Sequence, residues 1–221
     1  MSARQKVCGT DTVTDVIAGR MRSDIFNGVL APGERITIAS LAKRYGVSHL
    51  PVRQALRVIE GHRLVRILPR RGALVRSVDR KVVTNIYDCR AALDGMVAGK
   101  CATSISPAQV DQLERLAETH QASLAGGDSA RAFAANRDLH ALIYRFADNE
   151  DALRMVQGGW ELVYSLRRQF GISDRRQTQA VEEHFQLIQA YRDHNRDLVL
   201  AITIMHCELA KRDLLQQMRT V

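Results

Sequence analysis

The chain lacks the features that mark secreted proteins and thiolate metal sites. Its four cysteines are scattered, and no two of them form a Cys-x-x-Cys pair. They are Cys8, Cys89, Cys101 and Cys207. This spacing indicates reduced thiols in a cytoplasmic protein, and argues against a disulfide framework or a zinc–thiolate centre. The polar start, Met1–Lys6, has no apolar signal core behind it.

Long apolar runs and hydrolase signatures are missing too. No run approaches the ~18 residues that cross a bilayer, so we expect no membrane partner. There is no Gly-x-Ser-x-Gly nucleophile motif. The 221 residues are enough for two modest domains.

Excess positive charge is confined to the N-terminal third of the chain. The formal net charge is +8. Residues 1–78 hold 14 Lys or Arg against 5 Asp or Glu, whereas residues 79–221 hold 18 against 19. Because phosphate neutralisation supplies most of the non-specific affinity for nucleic acid, this asymmetry points to a DNA-binding segment before residue 79.

Residues 38–57 predict two short helices joined by a tight turn. Ser40 is the expected cap of the first helix, and Gly46 stands where the chain reverses, since glycine adopts positive φ without steric cost. Ser48 is the expected N-cap of the second helix, and Pro51 falls in its first turn. One face of the second helix is apolar and the other is basic, as in a recognition helix. The basic face carries His49, Arg53 and Arg57. A plain helical hairpin with one basic face is an equal alternative for this segment alone.

Two short β-rich runs surround Pro69-Arg70-Arg71-Gly72 and predict a hairpin with a basic tip, the wing of a winged helix. Gly72 would let the backbone approach a DNA groove. We therefore predict a winged helix-turn-helix over residues 12–76, after a disordered tail over residues 1–11. The candidate DNA-binding residues are Ser48, His49, Arg53, Arg57, Arg71 and Gly72.

Residues 12–76 resemble the winged helix of GntR-type bacterial transcription regulators. The motifs that carry the resemblance include Leu30-Ala-Pro-Gly33, Gly46-Val-Ser48, Pro51-Val-Arg53-Gln-Ala-Leu56 and Arg71-Gly72. The resemblance implies operator contacts by Ser48, Arg53 and Gly72. His49 stands where the family often has arginine, and a shorter, mostly neutral side chain predicts a different half-site or weaker binding.

After a polar linker over residues 77–82, residues 83–221 predict an all-α antiparallel bundle of about six helices. The predicted helices run near residues 81–104, 106–125, 129–147, 150–171, 174–194 and 197–218. The fold class is therefore mainly α. The bundle resembles the FCD ligand-binding domain of FadR-type GntR regulators, and the helix count suggests the VanR-like subgroup.

Three of the seven histidines lie on inward helix faces: His140, His184 and His206. His184 comes about eleven residues before the turn at Asn195-Arg196 and His206 about ten after it, so in an antiparallel pair they reach the same height. Three converging imidazoles suit a divalent transition metal such as Zn, Ni, Co or Fe. Three buried, hydrogen-bonded histidines without a metal are the alternative.

The family resemblance favours the metal. Domains of this type carry Asp-x-x-x-His on one helix and a histidine on each of two later helices, and the three histidines match that set. Asn136 falls where the pattern has aspartate, which implies weaker metal binding or a water ligand. Arg90-Ala-Ala-Leu-Asp94 resembles the family's Arg-x-x-x-Glu, which implies that Arg90 binds a carboxylate effector. An exposed Arg90–Asp94 pair is the alternative.

Several other polar residues are expected to be exposed to solvent. They are Arg167, Arg168, Arg175, Arg176, His120 and His194.

These observations predict a cytoplasmic bacterial transcription regulator, a homodimeric repressor and not an enzyme. It would bind an inverted-repeat, double-stranded DNA operator and respond to a small organic acid, with a divalent metal as the candidate cofactor. A metal-dependent enzyme with a DNA-targeting domain and a metal-sensing regulator remain alternatives.

Overall fold

The computed structural model describes residues 12–76 and 79–219. The tail predicted for residues 1–11 and the first two residues of the predicted linker lie outside the described residues. The chain divides into two compact units. One takes in the chain up to Val78 together with Glu161–Gln169, and the other takes in Asp79–Trp160 and Phe170–Val221.

The first unit has the element order of a winged helix. Its elements are α1 (Val13–Phe26), β1 (Arg35–Ile36), α2 (Ile38–Tyr45), α3 (His49–Gly61), β2 (Val65–Leu68) and β3 (Gly72–Val75). The three strands form one antiparallel sheet in the order β1-β3-β2. In this sheet Ala73 pairs with Ile36 on one side and with Ile67 on the other. The predicted helical hairpin, short first strand and wing hairpin are therefore present.

The caps of α2 and α3 differ in detail from the prediction. Thr37, not Ser40, is the N-cap of α2; its side chain accepts a hydrogen bond from the Ser40 backbone N–H at 3.1 Å. Ser40 stands three residues further on and completes a capping box, with its Oγ accepting from the Thr37 backbone N–H at 3.2 Å. Ser48 occupies the N-cap position of α3, but its side chain makes no capping bond. Gly46 ends α2 in the left-handed conformation, with φ of 67°.

The rest of the described chain forms the helices of a bundle. They are α4 (Arg80–Ala102), α5 (Pro107–Ala125), α6 (Ser129–Phe146), α7 (Glu150–Phe170), α8 (Asp174–Arg192) and α9 (Arg196–Gln217). Within α7, Glu161–Gln169 is grouped with the first unit and the remaining residues with the second. The mainly α fold and the six bundle helices are confirmed for the described residues. Helix α4 begins at Arg80, close to the predicted start near residue 81, and the Asp79 side chain caps it by accepting a hydrogen bond from Val82 N at 2.8 Å. Residues 80–82 are therefore helical and do not belong to the linker.

Close helix packing sets the interior of the bundle. A Cβ added at Gly95 of α4 would lie 3.0 Å from a side-chain carbon of Ile204 on α9, so glycine lets these two helices approach. Helix α8 packs against both α5 and α9. Side chains from α6, α8 and α9 meet in the interior of this bundle. Among the described residues no helix combines the length and apolar character needed to span a bilayer.

Candidate functional site

The recognition-helix candidates form an exposed face on α3. Val52 and Ala55 are fully buried, whereas His49, Arg53 and Arg57 are exposed. This is the division predicted from the apolar spacing. The basic face is therefore free to meet a ligand from solvent.

The wing glycine has a structural requirement that the sequence did not indicate. Gly72 has φ of 88°, and a Cβ at this position would overlap the backbone oxygen of Ile36 in β1. Glycine is needed here for β3 to pair with β1, whatever it does near DNA. Arg71 is exposed beside it, and its backbone oxygen accepts a hydrogen bond from Arg35 Nε at 3.2 Å.

The three predicted metal-ligating histidines meet in the bundle interior. Their ring centroids are 5.4 Å apart for His140 and His184, 5.1 Å for His140 and His206, and 5.2 Å for His184 and His206. One nitrogen from each ring can be chosen so that all three lie within 4.8 Å of one another. The equal heights predicted for His184 and His206 are confirmed. The three rings are close enough to hold one ion.

A buried ion pair orients His206. Its Nδ1 lies 2.7 Å from Glu183 Oε2, and Glu183 also accepts two hydrogen bonds from Arg176, at 2.9 and 2.8 Å. When Nδ1 donates to Glu183, Nε2 is the ring nitrogen left to ligate an ion, as in carboxylate–histidine–metal arrangements. The expectation that Arg176 is exposed is wrong: only 4% of it is accessible, because this ion pair lies inside the bundle. Arg167, also expected to be exposed, is likewise buried.

His184 and Asn136 carry polar atoms that have no partner inside the protein. Both ring nitrogens of His184 and the Oδ1 of Asn136 are buried without a hydrogen bond. A buried polar group left unpaired costs about 1–3 kcal/mol, so native interiors rarely contain one. A metal ion would satisfy one of the two His184 nitrogens, and the three clustered imidazoles are a donor set that fits a divalent transition metal.

Burial keeps the cluster in the form that binds metals. Desolvation, followed by repulsion from His206 when that ring is protonated, holds the pKa of both His140 and His184 well below 6.5. Burial also lowers the pKa of His206, although the hydrogen bond to Glu183 acts in the opposite direction. These imidazoles are therefore neutral near pH 7, and only the neutral ring ligates a metal.

A fourth histidine joins the cluster against expectation. His120 was expected to titrate in solvent near the end of α5, but it is only 6% exposed, and its ring centroid lies 5.3 Å from that of His184. Burial, with smaller contributions from His206 and Arg176, lowers its pKa to about 4. The packing of α5 against α8 covers this side chain, and the local sequence gave no sign of that contact.

Arg90 belongs to a buried network, not to an exposed pair. Its Nη2 lies 3.2 Å from Asp94 Oδ2, and both residues are buried. Asp94 also accepts a hydrogen bond from the Tyr144 hydroxyl at 2.5 Å. The Arg90 guanidinium lies over the rings of Tyr87 and Trp160, at 5.3 and 5.6 Å from their centroids. Burial, then the Asp94 charge, raises the pKa of Tyr144 far above 10, so this hydroxyl stays a donor.

A small cavity connects the Asp94 network with the histidines. Its lining includes Asp94, Tyr144 and the three predicted ligands. Its volume is about 20 Å³, which is room for one ion or one water molecule. An organic acid of several carbons therefore requires these side chains to move.

The comparisons with known proteins identify the class of protein. Residues 13–75 match the model of the bacterial regulatory proteins of the GntR family, and residues 85–209 match that of the FCD domain. The chain therefore belongs to the GntR family, in the branch whose members carry an FCD domain. It is a DNA-binding transcription regulator with a ligand-binding domain.

Particular relatives are regulators as well. An uncharacterised HTH-type transcriptional regulator of Bacillus subtilis, YdhC, is 27% identical over 188 residues, covering 85% of this chain and 84% of its own. The Escherichia coli HTH-type transcriptional repressor RspR is 26% identical over 167 residues, covering 76% and 70%. The solved structure of E. coli McbR/YncC shares the fold, with a TM-score of 0.71 at 20% identity, covering 96% of this chain and 99% of that one. These relatives support the prediction of a regulator over an enzyme; the VanR-like subgroup stays a prediction.

Proposed function

We propose that this chain is a homodimeric repressor whose DNA binding is controlled by a small organic acid held beside a divalent transition metal. Residues 12–76 would bind an inverted-repeat operator, and residues 83–221 would form the effector-binding and dimerisation domain. One observation carries the proposal: a buried cluster of three imidazoles in which His184 has no partner for either ring nitrogen. Two relatives are named repressors, RspR and the gluconate operon transcriptional repressor of B. subtilis.

The DNA-binding part of the proposal uses the exposed face of α3. Residues 48–57 would enter the major groove, with Arg53 donating to base edges and Arg57 to phosphates, while Arg71 and Gly72 of the wing lie near the minor groove. A guanidinium suits this role because its fork of N–H groups matches two acceptors of guanine. One such helix reads few bases, so two copies on an inverted repeat are needed for useful specificity.

In the bundle, the three histidines and the Asn136 Oδ1 would hold the metal. When bound, the ion supplies a Lewis-acidic position for a carboxylate oxygen. Glu183 orients His206 through Nδ1, and burial keeps the imidazoles neutral. Asn136 adds no charge to the set, so affinity should be lower than with a carboxylate in that position.

Arg90 would bind the effector from the other side. A guanidinium can donate two parallel hydrogen bonds to a carboxylate, and in the structure Asp94 is the carboxylate that Arg90 contacts. An incoming organic acid would compete with Asp94 for Arg90 and widen the cavity. That rearrangement would connect effector binding to the spacing of the DNA-binding units, a coupling of typically about 1–3 kcal/mol.

The small cavity favours a second candidate function, a metal sensor in which the ion is itself the effector. About 20 Å³ accommodates an ion without any rearrangement. Operator binding that responds to metal with no organic acid present would support this function. Operator binding that responds only when an acid is added would support the first.

The test begins with metal content. Untagged wild-type protein is compared with His184→Ala, and with His194→Ala as a histidine control on the loop before α9. We expect close to one metal per chain in wild type and in the control, and none in His184→Ala. The loaded protein is then screened against small carboxylates by thermal shift, with Arg90→Ala as the variant that should lose the response. Absence of metal from the wild type after loading would overturn the metal part of the proposal.

A further inference from the structure

His184 and His206 face the same cluster but differ in what supports them. Nδ1 of His206 has Glu183 as its hydrogen-bond partner, at 2.7 Å. His184 is 1% exposed, and neither of its ring nitrogens has a hydrogen-bond partner in the protein. If one nitrogen of His184 ligates an ion, the other carries an N–H into the bundle interior. A ligating histidine almost always donates that N–H to a neighbouring acceptor, which fixes the ring.

His120 is the side chain placed to be that acceptor. Its ring centroid lies 5.3 Å from that of His184, with the two planes inclined by 49°. It is buried, and its Nδ1 has no hydrogen-bond partner. A neutral imidazole with its proton on Nε2 offers the Nδ1 lone pair as an acceptor. Two neighbouring histidines thus each hold a buried ring nitrogen that lacks a partner.

His120 lies next to the candidate metal ligands but is not one of them. The group whose ligand atoms lie within 4.8 Å of one another consists of His140, His184 and His206. His120 stands outside that group and against one member of it. It lies on α5, which packs against α8, and its ring contacts that of His184.

We propose that His120 is a positioning residue for the metal site, which accepts a hydrogen bond from the non-ligating ring nitrogen of His184, directly or through one water molecule. This inference rests on the metal site of the proposed function. It assigns to a histidine outside the ligand set the role that Glu183 has for His206. Loss of such an outer partner typically lowers metal affinity about 10–100-fold.

The experiment measures zinc affinity of the full chain by competition with a chromophoric chelator. We expect His120→Ala to bind zinc about 10–100-fold more weakly than wild type. His120→Asn keeps an acceptor close to the position of Nδ1 and should recover most of that loss. His194→Ala, a histidine whose Nδ1 contacts the Ala102 oxygen away from the cluster, should bind as wild type does.

A second readout does not depend on any variant folding. In zinc-loaded wild type, ¹H–¹⁵N correlation of the imidazoles should show His184 as a single tautomer whose N–H exchanges slowly with water. Two results would overturn the inference and leave the metal site intact, provided that wild type binds zinc. One is an unchanged zinc affinity in His120→Ala, and the other is a His184 N–H that exchanges rapidly with water. A wild type that binds no zinc would overturn both the inference and the metal site.

Discussion

Glu183 Oε2 lies 2.7 Å from His206 Nδ1, and the same carboxylate is held by Arg176 through two hydrogen bonds. Burial alone would raise the pKa of Glu183, but the bonds from His206 and Arg176 lower it below its usual value. The carboxylate therefore stays charged, and it fixes which ring nitrogen of His206 faces the other histidines. This pair connects the stability of the bundle to the chemistry of the candidate metal site.

Glu183→Gln should lower both the stability of the bundle and its affinity for zinc. The amide removes the charge opposite Arg176, and breaking one side of a buried ion pair typically costs about 3–5 kcal/mol. Zinc affinity should also fall, by up to about 10–100-fold, because a neutral amide oxygen accepts the His206 Nδ1–H more weakly than a carboxylate does. Urea denaturation and chelator competition measure the two effects. Glu150→Gln is the control: it alters an exposed pair with Arg154 and should change neither quantity appreciably.

Asn136→Asp should strengthen metal binding. The carboxylate adds a negative charge and a harder oxygen at the position where the buried Oδ1 now has no partner. Without metal, the same change should destabilise the bundle, because an unpaired charge is buried. Zinc competition and thermal unfolding with and without zinc are the measurements. Gln112→Glu adds the same charge at an exposed position of α5 and serves as the control; equal affinities for the two variants would contradict the proposed role of position 136.

Arg53→Ala should abolish operator binding while the bundle stays folded. A bidentate arginine–guanine contact is worth about 1–3 kcal/mol, and a dimer on an inverted repeat loses it twice. Binding to an operator selected from random DNA is measured by fluorescence anisotropy at fixed salt. Arg137→Ala removes an exposed arginine of α6 that contacts the adjacent Asp138, and it should bind as wild type does. Unchanged affinity in Arg53→Ala would sink the assignment of α3 as the recognition helix.

Gly72→Ala should destabilise the winged helix. Its positive φ alone costs a residue with a Cβ about 1–2 kcal/mol, and the overlap with the Ile36 oxygen adds to this. Gly61→Ala is the matched control, because a Cβ at Gly61 meets nothing within 4 Å and α3 should be unaffected or slightly stabilised. Thermal unfolding compares the two variants. If they unfold alike, the close approach of β3 and β1 is wrong.

Acid should destabilise the metal-free protein well above the range in which carboxylates titrate. His120, His140, His184 and His206 all have a lowered pKa in the folded chain, against 6.5 when unfolded. Below pH 6.5 the unfolded chain therefore takes up protons that the folded chain does not. The free energy of unfolding should fall by about 1.4 kcal/mol per pH unit for each such histidine. Urea titrations between pH 5 and 8 measure this slope; a flat profile from pH 7 to 5 would contradict the burial of the cluster.

Removing His120 measures how much one buried histidine contributes to this pH dependence of stability. In His120→Ala, the slope of the unfolding free energy against pH should be smaller by about 1.4 kcal/mol per pH unit between pH 6.5 and about 4, the pKa of the buried ring. His194→Ala, whose histidine lies outside the cluster, should leave the slope as it is in wild type.

The sequence by itself determined those features that depend on local geometry. The helical spacing of apolar residues fixed which face of α3 is buried, and with it the exposure of Arg53. Helix rise and the turn before α9 fixed the common height of His184 and His206, since both are counted from the same turn. The motifs of the winged helix and the histidine pattern of the bundle were enough to indicate the family.

The tertiary structure alone decided which side chains the neighbouring helices cover. His120 and Arg176 look like solvent-exposed residues in the sequence, because burial by another helix leaves no mark on the local period. The contact of α5 with α8 buries His120, and the pairing of Arg176 with Glu183 makes its charge acceptable inside. Gly72 likewise requires glycine because of an oxygen that lies thirty-six residues earlier in the chain. Contacts between distant segments depend on how whole elements pack, and the spacing within one element does not contain that information.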